Sequence, residues 1–167
     1  MIKMIWAQSL NGVIGDNGNV PWSLPEDIGL FRRLTLGHKV VMGRKTRDSL
    51  PVKPLDGRQN IVISSIIEEI DGAEVFSDPE AVLGVYDNFW VIGGGEIYKA
   101  FMPFAQELYV TTVQIQVTGD TYAPEIGPEW EFQGISMWDM SADGLEYIVD
   151  IYERLAVDES LDGLGIS

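Results

Sequence analysis

One carboxylate stands where an amphipathic helix would place an apolar side chain. Its spacing predicts that Asp27 is buried or faces a cavity, because it lies in line with an apolar stripe of Leu24, Ile28, Phe31 and Leu34. The pKa of such a carboxyl should rise unless a cation or a hydrogen-bond donor meets it. Two interpretations stay open: a functional carboxylate in a cavity, or a first-turn acid that only complements the positive end of the helix dipole.

The helix that carries this acid has start and stop signals. Ser23, followed three residues later by Glu26, predicts a capping box at the helix start, with Pro25 at the first helical position. The helix is predicted to run to about Thr35, and Gly37 ends it.

Basic residues are concentrated in one part of a very acidic chain. The formal charge of −15 argues against nucleic acid or an anionic membrane as a partner. Against that charge, the chain has a basic segment that is either a solvated cluster or a local site for anionic ligands. Eight of the eleven basic residues lie in it: Arg32, Arg33, Lys39, Arg44, Lys45, Arg47, Lys53 and Arg58.

Two strand-glycine-helix turns offer room for a ligand. The short strand Val40 to Met42 leads through Gly43 into a helical turn that starts with two cations, a reasonable phosphate site. The second turn is VIGGGEIY, from Val91 to Tyr98, where three glycines permit close backbone approach to a ligand. It is not the GxGxxG dinucleotide fingerprint, and a glycine triplet alone is a weak signal.

Composition and length fit one soluble domain. The chain has 167 residues, 46% of them hydrophobic, and no cysteine, which suits a reducing compartment and excludes a disulfide framework or a thiolate metal site. No metal site is expected. The opening Ile2 to Ala7 is predicted as a strand rather than a signal peptide, and no run reaches the ~20 apolar residues of a membrane helix. We therefore expect a cytoplasmic protein with no membrane partner.

Strands alternate with helices through position 113, which predicts an α/β fold with a central, mostly parallel mixed sheet and flanking helices. Two late strands, Trp130 to Trp138 and Leu145 to Leu155, predict a terminal hairpin and an antiparallel C-terminal edge. The polar, acidic residues 156–167 are predicted to be a disordered tail, so the folded domain is expected to span residues 1–155.

These residues together make the chain resemble the dihydrofolate reductase family, from Ile2 to about Leu155. Seven strings match in order and spacing: IWAQSLNGVIG, PWSLPED, VVMGRKT, PLDGRQNIVISS, VIGGGEIY, LYVTTV and GDTYAP. The resemblance implies the single-domain fold of that family and the reduction of 7,8-dihydrofolate to tetrahydrofolate with NADPH. It also implies that antifolate inhibitors bind and that the protein is a monomer.

The resemblance assigns roles in the pterin site. Asp27 accepts hydrogen bonds from the 2-amino group and ring nitrogen of the substrate, Thr111 holds that carboxylate, and Trp22 positions a water. Hydride passes from C4 of nicotinamide to C6 of the pterin, and N5 gains its proton through water. Arg58 forks onto the α-carboxylate of the glutamate tail, with Lys53 nearby. The apolar walls, some of which also serve as core, are Ile5, Ala7, Ile28, Phe31, Leu50 and Ile92.

The resemblance also implies a cofactor site and a lid. The Gly93-Gly94 pair is joined by a cis peptide bond in the family. Residues 16–20 match a mobile loop that closes over nicotinamide, and Gly119-Asp120 match the loop that supports it. The implied cofactor-binding residues are Ala7, Ile14, Gly15, Asn19, Val20, Gly43, Arg44, Lys45, Thr46, Ser64, Ser65, Gly93, Gly94, Gly95, Glu96, Ile97, Tyr98 and Thr121.

Three departures from the family leave alternatives open. Glu96 stands where some relatives carry an arginine near the cofactor phosphates, Arg47 replaces an aromatic, and Gly144 replaces a serine that pins the lid. A riboflavin-pathway pyrimidine reductase of the same fold is one alternative, although a substrate without a glutamate tail has no need of Arg58. A non-catalytic nucleotide-binding protein is the other.

Overall fold

The structure is a computed structural model that describes residues 1–134 and 137–156. The predicted tail therefore lies outside the described residues, apart from Ala156. Ile135 and Ser136, which belong to the predicted late strand from Trp130 to Trp138, lie outside them as well.

The described residues alternate strands with short helices, as the sequence pattern predicts. The strands are β1 (Ile2–Ser9), β2 (Val13–Gly15), β3 (Lys39–Gly43), β4 (Gln59–Ile63), β5 (Ala73–Phe76), β6 (Phe89–Gly93), β7 (Glu107–Val113), β8 (Thr121–Tyr122), β9 (Trp130–Phe132), β10 (Asp139–Met140) and β11 (Glu146–Arg154). The helices are α1 (Pro25–Thr35), α2 (Arg44–Ser49), α3 (Pro79–Leu83) and α4 (Gly95–Phe101), with a 3₁₀ turn at Met102–Phe104.

One large sheet organises the molecule, in the order β10-β11-β7-β1-β6-β3-β4-β5. Strands β1, β3, β4, β5, β6 and β7 run parallel to one another, whereas β11 pairs antiparallel with β7. The predicted mostly parallel sheet with an antiparallel C-terminal edge is therefore confirmed. A separate ribbon joins β2 to β8.

Side chains alternate between the two faces of this sheet, so each face carries its own core. On one face, Phe31 and Leu34 of α1 pack against a buried cluster that includes Ile5 and Met42. On the other face, α3 and α4 pack against a larger cluster through residues such as Phe101. Helix α1 thus lies across the sheet over β1, β3 and β6. No helix among the described residues is long and apolar enough to span a membrane.

The predicted capping box at the start of α1 is wrong. Leu24 is the N-cap, and no side-chain hydrogen bond caps the helix among the described residues. The carboxylate of Glu26 instead accepts hydrogen bonds from Ser141 and Ala142, in the turn between β10 and β11. The predicted proline at the helix start and the helix end at Thr35 are confirmed.

The predicted late strand from Trp130 to Trp138 is a strand only over β9, and the short strand β10 begins just after its predicted end. Phe132 of β9 pairs with Tyr152 of β11, and Asp139 of β10 pairs with Tyr147. Phe132 and Asp139 are seven positions apart, whereas their partners on β11 are only five positions apart. A continuous ladder of paired residues therefore cannot join β9 to β10. Strands β2 and β8 were not expected, because each is too short to carry a periodic pattern.

Candidate functional site

The first turn of α1 points a carboxyl group at the edge of the sheet. The hydroxyl of Thr111, on β7, donates a hydrogen bond of 2.7 Å to Oδ1 of Asp27. Burial raises the pKa of Asp27, and the hydrogen bond from Thr111 opposes that rise only in part. Asp27 is half-buried, and its implied contact with Thr111 is present. Asp27 is therefore a titratable group in a desolvated position rather than a surface acid at a helix end.

A buried phenol lies close to this carboxyl. The hydroxyl of Tyr98, in α4, donates a hydrogen bond of 2.7 Å to the carbonyl oxygen of Ile5 in β1. Burial raises the pKa of Tyr98, and the charge of Asp27 adds to the rise. The predicted site residues Ile5, Asp27, Tyr98 and Thr111 therefore come together around the β1 and β7 strands.

A guanidinium is oriented at the opposite end of α1. The Nε of Arg58 donates to the carbonyl of Asp56 at 2.9 Å, and its Nη1 donates to the hydroxyl of Thr35 at 3.2 Å. The guanidinium carbon lies 5.7 Å from the ring centre of Phe31. Burial lowers the pKa of Arg58, with a smaller contribution from Arg32. Thr35, which also donates to the carbonyl of Phe31 at 2.7 Å, is a site residue that the sequence pattern did not predict.

The glycine triplet forms a bare backbone surface after β6. The peptide bond between Gly93 and Gly94 is cis, as the resemblance implies, and Gly93 has φ +122°, which disfavours other residues. A Cβ on Gly94 would lie 3.4 Å from the hydroxyl of Thr46, and one on Gly95 would lie 2.8 Å from Cγ2 of Thr121. This turn therefore brings the predicted cofactor residues on α2, α4 and β8 together.

The start of α2 adjoins the same turn. A Cβ on Gly43 would lie 3.1 Å from Cγ1 of Ile97 in α4. Side-chain contacts hold part of the basic segment here, since Arg44 and Arg47 both pair with Asp48, at 3.1 and 3.4 Å. Asp48 is not among the predicted site residues, although an acid four residues after Arg44 on a helix is a recognisable ion-pair signal.

The predicted lid is tied to its predicted support. The backbone N–H of Asn17 donates to Oδ2 of Asp120 at 3.0 Å, and the pairing of β2 with β8 continues this contact. That N–H and the hydroxyl of Thr121 lower the pKa of Asp120, with a smaller contribution from Lys45. Gly15 contacts Thr121, where a Cβ would lie 3.6 Å from the threonine Cβ. The lid base therefore lies beside the glycine turn.

The remaining predicted site residues differ in their exposure and in their hydrogen bonds. Ile28 is 66% exposed, so this member of the apolar stripe does not pack into the core as Phe31 does. The ammonium of Lys53 donates a hydrogen bond of 2.7 Å to the carbonyl of Asp48. The hydroxyl of Ser64 accepts hydrogen bonds from two backbone N–H groups that follow it. The exposed members are Asn19, Val20, Ser65 and Glu96, while Ala7, Ile14, Trp22, Leu50 and Ile92 are half-buried.

A cavity of about 550 Å³ follows the outer flank of α1, between that helix and β11. Its lining includes Asp27, Leu30, Arg33, Tyr147 and Val149. Asp27 therefore adjoins open space on this flank as well as the β7 side. No group of three or more metal-ligating side chains occurs among the residues that the structure describes.

Comparison with known proteins gives one consistent family. The model of the family described as dihydrofolate reductase matches residues 1–154. The dihydrofolate reductase of Mycobacterium tuberculosis is 43% identical over 160 residues, which cover 92% of this chain and 98% of that protein. The corresponding protein of Mycobacterium leprae is also 43% identical, over 164 residues, with the same coverage of each chain.

A solved structure has the same fold. It is the dihydrofolate reductase of Enterococcus faecalis complexed with NADP(H) and RAB-propyl, and it matches with a TM-score of 0.85 at 31% identity. The match covers 93% of this chain and 97% of that one. The stretch matched by the family model contains both ends of α1 and the glycine turn. The extent of that match and the identity to its relatives show that this chain belongs to the dihydrofolate reductase family.

Proposed function

We propose that the protein reduces 7,8-dihydrofolate to 5,6,7,8-tetrahydrofolate with NADPH, with hydride delivered to C6 and a proton to N5. Family membership and the NADP(H) in the Enterococcus faecalis structure support this reaction. The observation that carries the proposal is the half-buried carboxyl of Asp27, which Thr111 fixes at the start of α1, while Thr35 orients Arg58 at the end of the same helix.

Asp27 binds the pterin in this proposal. An ionised carboxylate accepts hydrogen bonds from the 2-amino group and a ring nitrogen, an arrangement that is stronger than a neutral one. Thr111 engages Oδ1 and so fixes the rotation of the carboxyl group. The negative charge of Asp27 favours the protonated form of the bound ring, and water positioned by Trp22 delivers the proton to N5.

Arg58 binds the other end of the substrate. Its guanidinium is held by Asp56, Thr35 and Phe31, so the planar fork is oriented before a carboxylate arrives. The helix rises by ~12 Å between Asp27 and Thr35, which separates the pterin from the glutamate carboxylate. This separation favours a folate over a pyrimidine substrate with no tail. We include Lys53 near the tail as well.

The apolar substrate walls are Ile5, Ile28, Phe31, Leu50 and Ile92. The high exposure of Ile28 supports this role, because an isoleucine open to solvent gains burial when an apolar ligand covers it. The half-buried Phe31 packs on the core from the same helix face. These two residues would contact the middle of the substrate between its charged ends.

The glycine turn and the α2 segment suit a dinucleotide. Gly93, Gly94 and Gly95 have no Cβ at places where one would crowd neighbouring side chains, so a ligand can approach the backbone. The cations Arg44 and Lys45 precede Thr46 in α2 and would face the adenosine phosphates. NADPH supplies the hydride when it is bound. Ala7, Ile14, Gly15, Asn19, Val20, Gly43, Ser64, Ser65, Glu96, Ile97, Tyr98 and Thr121 complete the proposed cofactor site.

Further properties of the protein follow from the same proposal. We propose a folded domain over residues 1–155 that acts as a monomer in the cytoplasm and binds antifolate inhibitors. The absence of cysteine suits a reducing compartment. Sedimentation of the purified protein tests the oligomeric state, and a dimer would contradict this part.

The test is the decay of NADPH absorbance with purified protein, with and without dihydrofolate. We expect decay that requires dihydrofolate and is faster with NADPH than with NADH. The comparison with NADH is needed because exposed Glu96 supplies no positive charge for the extra phosphate of NADPH. Equal rates with the two cofactors would overturn the NADPH preference. No decay despite NADPH binding would indicate a nucleotide-binding protein, and turnover of a ribosylaminopyrimidine instead would indicate the riboflavin-pathway reaction.

A further inference from the structure

An acid next to Asp27 joins the first turn of α1 to a distant part of the chain. Oε2 of Glu26 accepts a hydrogen bond of 2.9 Å from the hydroxyl of Ser141, and Oε1 accepts one of 3.0 Å from the backbone N–H of Ala142. Ser141 is only 3% exposed, and its hydroxyl also accepts from the N–H of Asp143 at 3.2 Å. We call the contacts of Glu26 with Ser141 and Ala142 the Glu26 clamp.

The clamp acts where α1 has few other restraints. No side-chain hydrogen bond caps this helix among the described residues, and the N–H of Asp27 bonds back to the carbonyl of Leu24, at 3.0 Å. Thr111 holds the side chain of Asp27 from β7, while the residues that follow β10 hold the side chain of Glu26 in the same turn. Since β7 and β11 are paired strands, with Thr111 opposite Val149, both restraints come from the same edge of the sheet.

We propose that Glu26 is a positioning residue for the pterin site, which sets the height and rotation of the first turn of α1 so that the Asp27 carboxyl meets both Thr111 and the substrate. This inference rests on the proposed function and deepens it. A hydrogen-bonded turn 115 residues away in the sequence thereby becomes part of the support of the site.

The clamp persists at neutral pH. The N–H of Ala142, then the N–H of Glu26 itself and the hydroxyl of Ser141, lower the pKa of Glu26. A lowered carboxyl pKa means that the contribution to stability is present above the ordinary value and is lost as pH falls through the lowered value. The clamp is therefore complete under the conditions in which the enzyme is proposed to work.

Other ionisable groups face this turn, so pH experiments need matched variants. Tyr147, across the cavity on β11, has a pKa raised by burial and then by the charges of Asp139, Glu26 and Asp27. Arg33 lines the same cavity, and Tyr98 approaches Asp27 from the α4 side.

The test compares three substitutions with a control. Glu26→Ala removes the clamp, Glu26→Gln keeps an acceptor for Ala142 and an amide that can donate to Ser141, and Ser141→Ala removes one hydrogen bond. Glu80→Ala is the control, because Glu80 is an exposed acid in the first turn of α3. We expect Glu26→Ala to lower kcat on the order of tenfold without changing KM for NADPH, since small displacements of a reacting group are costly.

The remaining variants distinguish positioning from stability. We expect Glu26→Gln to restore most of kcat and Ser141→Ala to have an intermediate effect, while Glu80→Ala changes neither constant. In the Asp27→Asn background, Glu26→Ala should have no further effect on kcat. A Glu26→Ala protein that is folded and has normal kcat would overturn the proposal, as would equal losses in both backgrounds. If Glu26→Ala does not fold, Ser141→Ala takes its place, and a folded Ser141→Ala protein with normal kcat would overturn the proposal.

A second measurement needs no turnover, so it separates failure of the clamp from failure of the proposed reaction. The ¹³C shift of the Asp27 carboxyl reports its pKa directly. Both Glu26 substitutions remove the same negative charge, but only Glu26→Ala also frees the first turn of α1 and so weakens the hydrogen bond from Thr111 that lowers the pKa of Asp27; that pKa should therefore be higher in Glu26→Ala than in Glu26→Gln. Equal shifts would contradict the positioning role, whether or not dihydrofolate is reduced.

Discussion

The two ends of α1 hold opposite charges by different means. At the start, the Asp27 carboxyl is desolvated and has one hydroxyl donor, Thr111. At the end, the Arg58 guanidinium rests on a carbonyl, a hydroxyl and an aromatic ring. Burial is the largest cause of both pKa shifts, and in each case it favours the neutral form, raising the pKa of the acid and lowering that of the base.

The same physical effect gives the two groups different capabilities. The pKa of an aspartic acid ordinarily lies well below the working pH, and a rise moves it toward that pH. Small changes around Asp27 can then alter how readily it is protonated. The pKa of a guanidinium begins so far above neutrality that Arg58 remains a cation under all working conditions. We therefore expect the start of α1 to govern chemistry and its end to govern binding.

The largest effect is expected from Asp27→Asn. The amide cannot carry the negative charge that favours a protonated pterin, so kcat near neutral pH should fall by about a hundredfold or more. Activity should recover in part in acid, where the substrate arrives already protonated. Steady-state kinetics across pH provide the measurement, and near-normal activity of this variant would refute the role of the carboxylate.

A smaller and different effect is expected from Arg58→Lys. A point charge cannot reproduce the planar fork, so KM for dihydrofolate should rise by roughly tenfold or more while KM for NADPH stays the same. Arg32→Lys is the matched control, because Arg32 lies on the exposed side of α1, 4.0 Å from Asp56. Equal losses for both ligands would show that Arg58 does not bind the tail.

Removing the hydroxyl that donates to Asp27 should increase the difference between the two ends of α1. Thr111→Val is nearly isosteric and deletes a hydrogen bond that lowers the pKa of Asp27, so that pKa should rise further. The free energy of a hydrogen bond to a charged group corresponds to about tenfold or more in the acid dissociation constant. The pH profile of kcat is the measurement, with Thr112→Val on the opposite face of β7 as the control. An unchanged profile would mean that the bond does not tune the carboxyl.

The smallest effect concerns stability. Because the pKa of Asp27 is raised on folding, its contribution is fully present below the ordinary value of the carboxyl and is lost as pH rises through the raised value. Asp27→Asn should therefore become more stable than the unsubstituted protein as pH rises, and the difference should close in acid. Urea unfolding at two pH values measures it, with the exposed Asp71→Asn as control. A difference independent of pH would contradict the desolvation of Asp27.

Local patterns were sufficient for much of the fold. Apolar runs predicted the parallel strands, and Pro25 predicted the start of α1, where it is the first helical residue. The half-buried acid beside a cavity was also predictable, since helical spacing aligns Asp27 with Phe31. These features depend on residues that lie close together in sequence.

What local patterns missed depends on partners that are distant in sequence. Glu26 has the spacing of a capping box, but Ser141 and Ala142 compete for its carboxylate from a turn that only the β11 pairing brings near. Thr35 meets Arg58 across 23 positions. Ile28 belongs to the apolar stripe yet is open to solvent, because spacing alone does not distinguish a core from a ligand cleft.

The most direct test of the contrast between the two ends of α1 pairs variants with two substrates. Turnover of dihydrofolate and of a dihydropterin without the glutamate tail would be measured for the unsubstituted protein, Asp27→Asn and Arg58→Lys. We predict that Asp27→Asn impairs kcat for both substrates and that Arg58→Lys weakens only dihydrofolate. Equal impairment of the tail-less substrate by Arg58→Lys, or its normal turnover by Asp27→Asn near neutral pH, would contradict the account.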